Sequence, residues 1–169
     1  ALPPGQVRRV VSVIGDSTFV HSGISGLVEM VYNPPPGGHV LIILDNATTA
    51  MTGHQEHPAT GRRLNHEPTN RLVLEDLART LGVRRVHVVE PRVGSDEFDR
   101  VLAECLASGE LAVIIARRPC VLIVKRLKEL EQRDAKPEAR GCGAAGGGGT
   151  CGCGPTDPAQ GQIPTDHHP

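Results

Sequence analysis

The chain has 169 residues and a formal net charge of -1, and aromatic residues make up only 2% of it. Near-neutrality leaves no electrostatic footprint for nucleic acid or an anionic membrane, and so few aromatics leave no stacking platform for single strands. The longest apolar run, Val40 to Leu44, is too short to span a bilayer. The segment Ala1-Leu2-Pro3-Pro4-Gly5 lacks the charged and apolar regions of a secretory signal. The expected setting is cytoplasmic and reducing, and five cysteines without a signal do not suggest a disulfide framework.

Taken in order, Arg9 to Ile14 is a nearly continuous apolar run of the kind a buried parallel strand shows, ended by Gly15-Asp16. Ser22 is placed to cap a helix carrying Ile24, Leu27, Val28 and Val31 at helical spacing. Asn33-Pro34-Pro35-Pro36-Gly37-Gly38 forbids its continuation. Val40 to Leu44 reads as the second strand. After a long polar loop, Leu74, Leu77, Ala78 and Leu81 repeat the helical stripe, with Gly82 as a stop. Val86 to Val89 is a third strand. Ser95 then caps a helix bearing Phe98, Val101, Leu102 and Cys105. Leu111 to Ala116 is a fourth strand, and Val121 to Gln132 begins strand-like and turns helical. Beyond Arg133 glycine, then Pro, Gln, Thr and Asp take over, with too little apolar surface to offset the entropy of ordering. The expected organisation is a domain over 1-133 and a disordered low-complexity tail over 134-169.

Strands alternating with helices call for an α/β fold: a mainly parallel twisted sheet with helices on both faces. Ligands in such sheets bind beyond the carboxyl ends of the strands. That points to the loops beginning at Gly15 and at Asp45. Gly15-Asp16-Ser17 puts an acid on a tight turn just before a helix, whose free N-terminal amides and dipole favour phosphate. Asp45-Asn46-Ala47-Thr48-Thr49 adds oxygen ligands at the neighbouring strand end. Magnesium takes about six oxygens and usually shares them with substrate phosphates. From the residues alone, the conclusion is an anionic ligand with a divalent cation.

A longer string goes further. Val13-Ile14-Gly15-Asp16-Ser17-Thr18-Phe19, then His21-Ser22-Gly23-Ile24, then Ile43 through Gln55 resembles the large subunit of the indolepyruvate:ferredoxin oxidoreductase family. The likeness runs on through Pro58-Ala59-Thr60-Gly61 and Ala116-Arg117-Arg118-Pro119-Cys120, over about Arg8 to Arg126. The general thiamine motif is Gly-Asp-Gly followed some thirty residues later by Asn-Asn; Ser17 and Asp45 replace its second Gly and first Asn. The resemblance implies the thiamine-diphosphate-binding fold, with thiamine diphosphate and Mg2+ as cofactors. It implies Asp16 and Asn46 as side-chain metal ligands and the Thr48 carbonyl as a third. Gly15, Ser17, Thr48, Thr49 and Gly53 would line the cofactor's diphosphate end. His54, in the active-site mouth, is the candidate for proton handling or substrate orientation, and His21 invites the same reading.

The implied activity is oxidative decarboxylation of an aryl 2-oxoacid, with coenzyme A as acyl acceptor and ferredoxin as electron acceptor. The family's aminopyrimidine-gripping domain and its cysteine-rich ferredoxin-like domain have no counterpart in this sequence. The chain is therefore expected to be incomplete alone, to work with other domains or subunits in an oligomer, and to carry no iron–sulfur cluster. The spacing of Cys142, Cys151 and Cys153 does not match cluster motifs. Two alternatives stay open: a subunit of a ferredoxin-independent thiamine-dependent decarboxylase, and a non-catalytic remnant of the fold. His54-Gln55-Glu56-His57 has the spacing of a minimal zinc pair. Lys125, Arg126, Lys128, Glu129 and Glu131 are expected on a solvated helix face.

Overall fold

The computed structural model describes residues 8–135. Most of the expected tail, with Cys142, Cys151 and Cys153, lies outside the described residues; Asp134 and Ala135 belong to the last helix. Four strands, β1 (Val10–Gly15), β2 (His39–Asp45), β3 (Arg85–Val89) and β4 (Leu111–Arg117), form one sheet in the order β1-β2-β4-β3. Every neighbouring pair is parallel. The helices are α1 (Asp16–Thr18), α2 (Ile24–Tyr32), α3 (Leu74–Thr80), α4 (Glu97–Ser108) and α5 (Val124–Ala135).

The strand period of two divides the core. Leu41, Ile43, Val113 and Ile115 point to the face covered by Phe19, Leu27, Leu74 and Ala78. Val40, Ile42, Ala112 and Ile114 point to the other, under Val101 and Cys105 of α4. β2 and β4 are central and largely buried on both sides, as their apolar runs require, with Leu44 left exposed at the site end.

β1 departs from the expectation of a buried strand. It is an edge strand, with Val10, Val11 and Val13 exposed and Val13 at 60%. An apolar run shows what a strand tolerates, and its place in the sheet decides what it buries.

The first helix also starts earlier than expected. Helical backbone begins at Asp16, passes through a π-helical stretch at Phe19–Gly23 and continues as α2. Ser22 is therefore internal, and its hydroxyl donates to the Thr18 carbonyl at 3.1 Å. Gly23 permits the close approach of this helix to β1, because a Cβ there would sit 2.8 Å from Ile14 Cδ1. π-bulges of this kind concentrate at functional sites. The cap of α4 lies one residue beyond the expected Ser95, with Asp96 at the N-cap and the Ser95 hydroxyl accepting the Glu97 amide at 3.4 Å.

The long segment between β2 and α3 is tied down by α5. Arg62 pairs with Asp134 at 2.6 Å, and Arg133 donates to the His66 carbonyl at 2.9 Å. His66 Nδ1 meets Glu56 at 2.8 Å, and Arg126 reaches the same ring. Arg126, expected on a solvated helix face, is thus spent on the loop, as is Arg133. Lys125 and Glu129 keep the exposed i,i+4 arrangement.

Candidate functional site

In β1 and β2, Gly15 lies opposite Leu44, so the loops leaving the two strands emerge side by side at the carboxyl end of the sheet. Asp16 is the first helical residue and 1% exposed. Its Oδ1 accepts the Ser17 amide at 2.7 Å, and its Oδ2 accepts the Ala47 amide at 3.0 Å. The second bond spans 31 residues and clips the end of β1 to the end of β2. Ala47 takes a left-handed conformation, φ 61°, which turns its amide back toward Asp16.

A second clip lies beside the first. Ser17 Oγ and Thr49 Oγ1 are 2.7 Å apart. Asn46 Oδ1 accepts the Thr48 amide at 3.0 Å and retains a second lone pair. Thr48 is buried, its hydroxyl donating to the Gln55 carbonyl at 3.4 Å. Its own carbonyl is engaged by none of these bonds. From Thr49 the chain folds back as a tight hairpin, with Thr49 N donating to the Gln55 carbonyl at 3.0 Å and His54 N to the Thr49 carbonyl at 3.1 Å. Gly53 turns it at φ 115°, a conformation closed to L side chains. His54 follows at φ 63° and carries a buried Nδ1 with no hydrogen-bond partner.

The seven residues expected around a diphosphate, Gly15, Asp16, Ser17, Asn46, Thr48, Thr49 and Gly53, therefore lie on two abutting loops, and His54 closes the second. His21 sits apart, exposed on the π-helical turn. A Cβ built at Gly15 meets nothing within 4 Å, so the space in front of the helix start is open. No side chain from Gly15 caps that helix, which leaves first-turn amides for an anion. The two abutting loops carry carboxylate, amide and carbonyl oxygens, the hard set magnesium takes at about 2.0–2.1 Å. The residues present fit the group.

Asp45 is not one of those donors. It is 3% exposed and paired with Arg117 Nε at 2.7 Å. Arg117 also grips Glu75 with two bonds, at 3.1 and 2.7 Å. Glu75 first, and Asp45 after it, push the guanidinium's pKa up, and Arg117 holds the Glu75 carboxyl below its ordinary value. The loop after β4 then runs beside Asp45-Asn46, with Arg118 N and Cys120 N each donating at 2.9 Å to the carbonyls of Asp45 and Asn46.

The zinc pair does not form. His57 is buried, accepts the Ala59 amide on Nδ1 at 3.3 Å and aims Nε2 at Asp16 Oδ2, 3.3 Å away, rather than at His54. Among the described residues, no group of three or more His, Cys, Asp or Glu side chains is disposed to hold a metal. Sequence reasoning had weighed His57 only as a metal ligand and had missed its approach to Asp16. It also gave no role to Glu75, whose tie to Arg117 joins residues 42 apart. At the other end of the strands a cavity of about 500 Å³ opens between Pro34–Pro36, Gly82–Arg84 and Gly109–Leu111, away from this constellation.

The chain belongs to the family described as "Thiamine pyrophosphate enzyme, C-terminal TPP binding domain", whose model matches residues 2–116. It is similar to the indolepyruvate oxidoreductase subunit IorA of Archaeoglobus fulgidus, 44% identical over 73% of this chain and 19% of that protein. The subunit of the same name in Methanothermobacter marburgensis is 41% identical over 68% of this chain and 18% of its own length. That in Pyrococcus horikoshii is 35% identical over 68% of this chain and 17% of its own. The chain thus spans about a fifth of the length of these curated relatives. No solved structure matches it. Among the described residues, no helix is long and apolar enough to cross a membrane.

Proposed function

We propose that this chain is the thiamine-diphosphate-binding component of an indolepyruvate-type 2-oxoacid:ferredoxin oxidoreductase. The reaction would convert an aryl 2-oxoacid, coenzyme A and two oxidised ferredoxins to acyl-CoA, carbon dioxide, a proton and two reduced ferredoxins. When bound, the cofactor supplies the stabilisation of the carbanion left when carbon dioxide departs. The chain's own part is to seat its diphosphate end. Asp16 and Asn46 hold Mg2+ through side-chain oxygens and Thr48 through its carbonyl. Gly15, Ser17, Thr49 and Gly53 border the diphosphate. His54, with its unpartnered Nδ1, is the candidate proton-handling group. The observation that carries this reading is the Ala47 N–H···Asp16 Oδ2 bond, which brings the two oxygen-rich loops into one site.

In this reading the cofactor-binding unit is residues 1-133, and the segment 134-169 takes no part in the chemistry. The remaining functions lie on other domains or subunits of a cytoplasmic oligomer. The test is calorimetric titration of the chain with thiamine diphosphate and Mg2+. Saturable binding that needs the metal and is lost in Asp16→Ala is expected. Undiminished binding in Asp16→Ala would overturn the ligand assignment.

A further inference from the structure

His57 has not been accounted for by the cofactor site, although its side chain is fully buried and sits against it. Three observations fix its state. The Ala59 amide can only donate, so Nδ1, 3.3 Å away, must be an acceptor without a proton. The ring proton therefore resides on Nε2. That nitrogen lies 3.3 Å from Asp16 Oδ2, yet the approach lacks the alignment of a full hydrogen bond and Nε2 is otherwise without a partner. A buried N–H aimed at a buried carboxylate and short of full engagement is a donor waiting for that carboxylate to settle.

The lone pairs of Asp16 give this donor its meaning. A carboxylate offers about four acceptor sites. Ser17 N takes one on Oδ1, Ala47 N takes one on Oδ2, and His57 Nε2 stands at the other on Oδ2. One site remains, on Oδ1. Resting on the assignment of Asp16 as a metal ligand, we propose that His57 is the positioning residue of this carboxylate. As a neutral imidazole it occupies Oδ2 and turns the remaining Oδ1 lone pair to the cation. The Pro58-Ala59 backbone keeps the ring in that tautomer, and Thr60 Oγ1 donating to the His57 carbonyl at 2.9 Å fixes the turn that carries it.

Such outer partners orient ligand carboxylates, and their loss typically costs about 10- to 100-fold in metal affinity. His57→Leu keeps apolar bulk and removes the donor. His57→Gln places an N–H near the old Nε2 and can still accept from Ala59. The experiment titrates Mg2+ into the full chain with thiamine diphosphate present, for wild type, His57→Leu, His57→Gln and Asp16→Ala. It is joined by the imidazole 15N spectrum of the free wild-type chain. Expected are an Nε2-protonated His57, a Mg2+ requirement raised about 10- to 100-fold in His57→Leu, its recovery in His57→Gln, and recovery of His57→Leu at saturating Mg2+. A merely structural role would instead lower the binding-competent fraction at every Mg2+ concentration, and that result overturns the proposal. A wild-type chain that binds, with Asp16→Ala inactive and His57→Leu unchanged, overturns the His57 inference alone. Absence of any Mg2+-dependent binding in wild type overturns the functional reading and this one together. Should His57→Leu fail to fold, the 15N spectrum still decides, because an Nδ1-protonated ring refutes the positioning geometry.

Discussion

Arg117→Ala tests whether the tie between Asp45, Arg117 and Glu75 holds β2, β4 and α3 together at the site end of the sheet. Asp45 is 3% exposed and its one charged partner is 2.7 Å away, so removing the guanidinium strands a buried carboxylate. Breaking a buried pair from one side costs about 3–5 kcal/mol. The Arg117 side chain is 31% exposed, so water reaches the gap and the lower end applies, about 3 kcal/mol. For a domain of this size that corresponds to a fall in Tm of roughly 10 °C. Asp45→Asn removes the charge that suffers. It loses one charge-assisted bond, about 1.5 kcal/mol, and should make Arg117→Ala cheaper by a similar amount. Thermal unfolding of the wild type, both single variants and the double variant closes the cycle. If the two substitutions are additive, Asp45 is not stabilised by Arg117 and the reasoning fails.

The same tie predicts a pH dependence. Arg117 lowers the folded-state pKa of Glu75 below its ordinary value near 4.5, so its contribution is full above that value and lost as pH falls through the folded one. Arg117→Ala should flatten the acid limb of a Tm-versus-pH curve. His39 behaves oppositely in origin: burial lowers its pKa, so the folded state favours the neutral ring hydrogen-bonded to Ser12 at 2.8 Å. Its contribution should be full above the ordinary histidine value near 6.5 and be lost as pH falls from there through the lower folded-state value, and His39→Gln should remove that step. Gly38 combines φ 78° with a Cβ position 2.5 Å from the Gly109 carbonyl carbon. Gly38→Ala should therefore cost about 2 kcal/mol or more in denaturant unfolding. Ile43→Ala, emptying a fully buried site in the central strand, should cost about 2–5 kcal/mol by the same measurement.

The strands and the alternation were legible because each is a run of local preferences. Leu111 to Ala116 is apolar along its whole length and lies between two covered faces, so pattern and burial agree. What was not legible depends on partners distant in sequence. The run at Val10 to Ile14 resembles that of a central strand, and its edge position follows from the order of the sheet. The start of the first helix was missed because the cap signal at Ser22 is local, whereas helical backbone from Asp16 is held by a bond to Ala47. The two loops of the candidate site were found by the rule that ligands gather at strand ends. That His57 and Arg117 would reach Asp16 and Asp45 could not be read from spacing, because those contacts cross 41 and 72 residues.

The two departures from the general thiamine motif have separate physical explanations. Ser17 stands where the motif has glycine, and its hydroxyl meets Thr49 Oγ1, replacing an open turn with a bond between the two loops. Asp45 stands where the motif has asparagine, and its charge is answered by Arg117 on the next strand, in register with it. Neither substitution places an uncompensated group among the oxygens of Asp16, Asn46 and Thr48. Each instead adds a cross-link beside them, one from the helix start and one from β4. Ser17 with Thr49, and Asp45 with Arg117, stand as matched pairs across the loops of this chain.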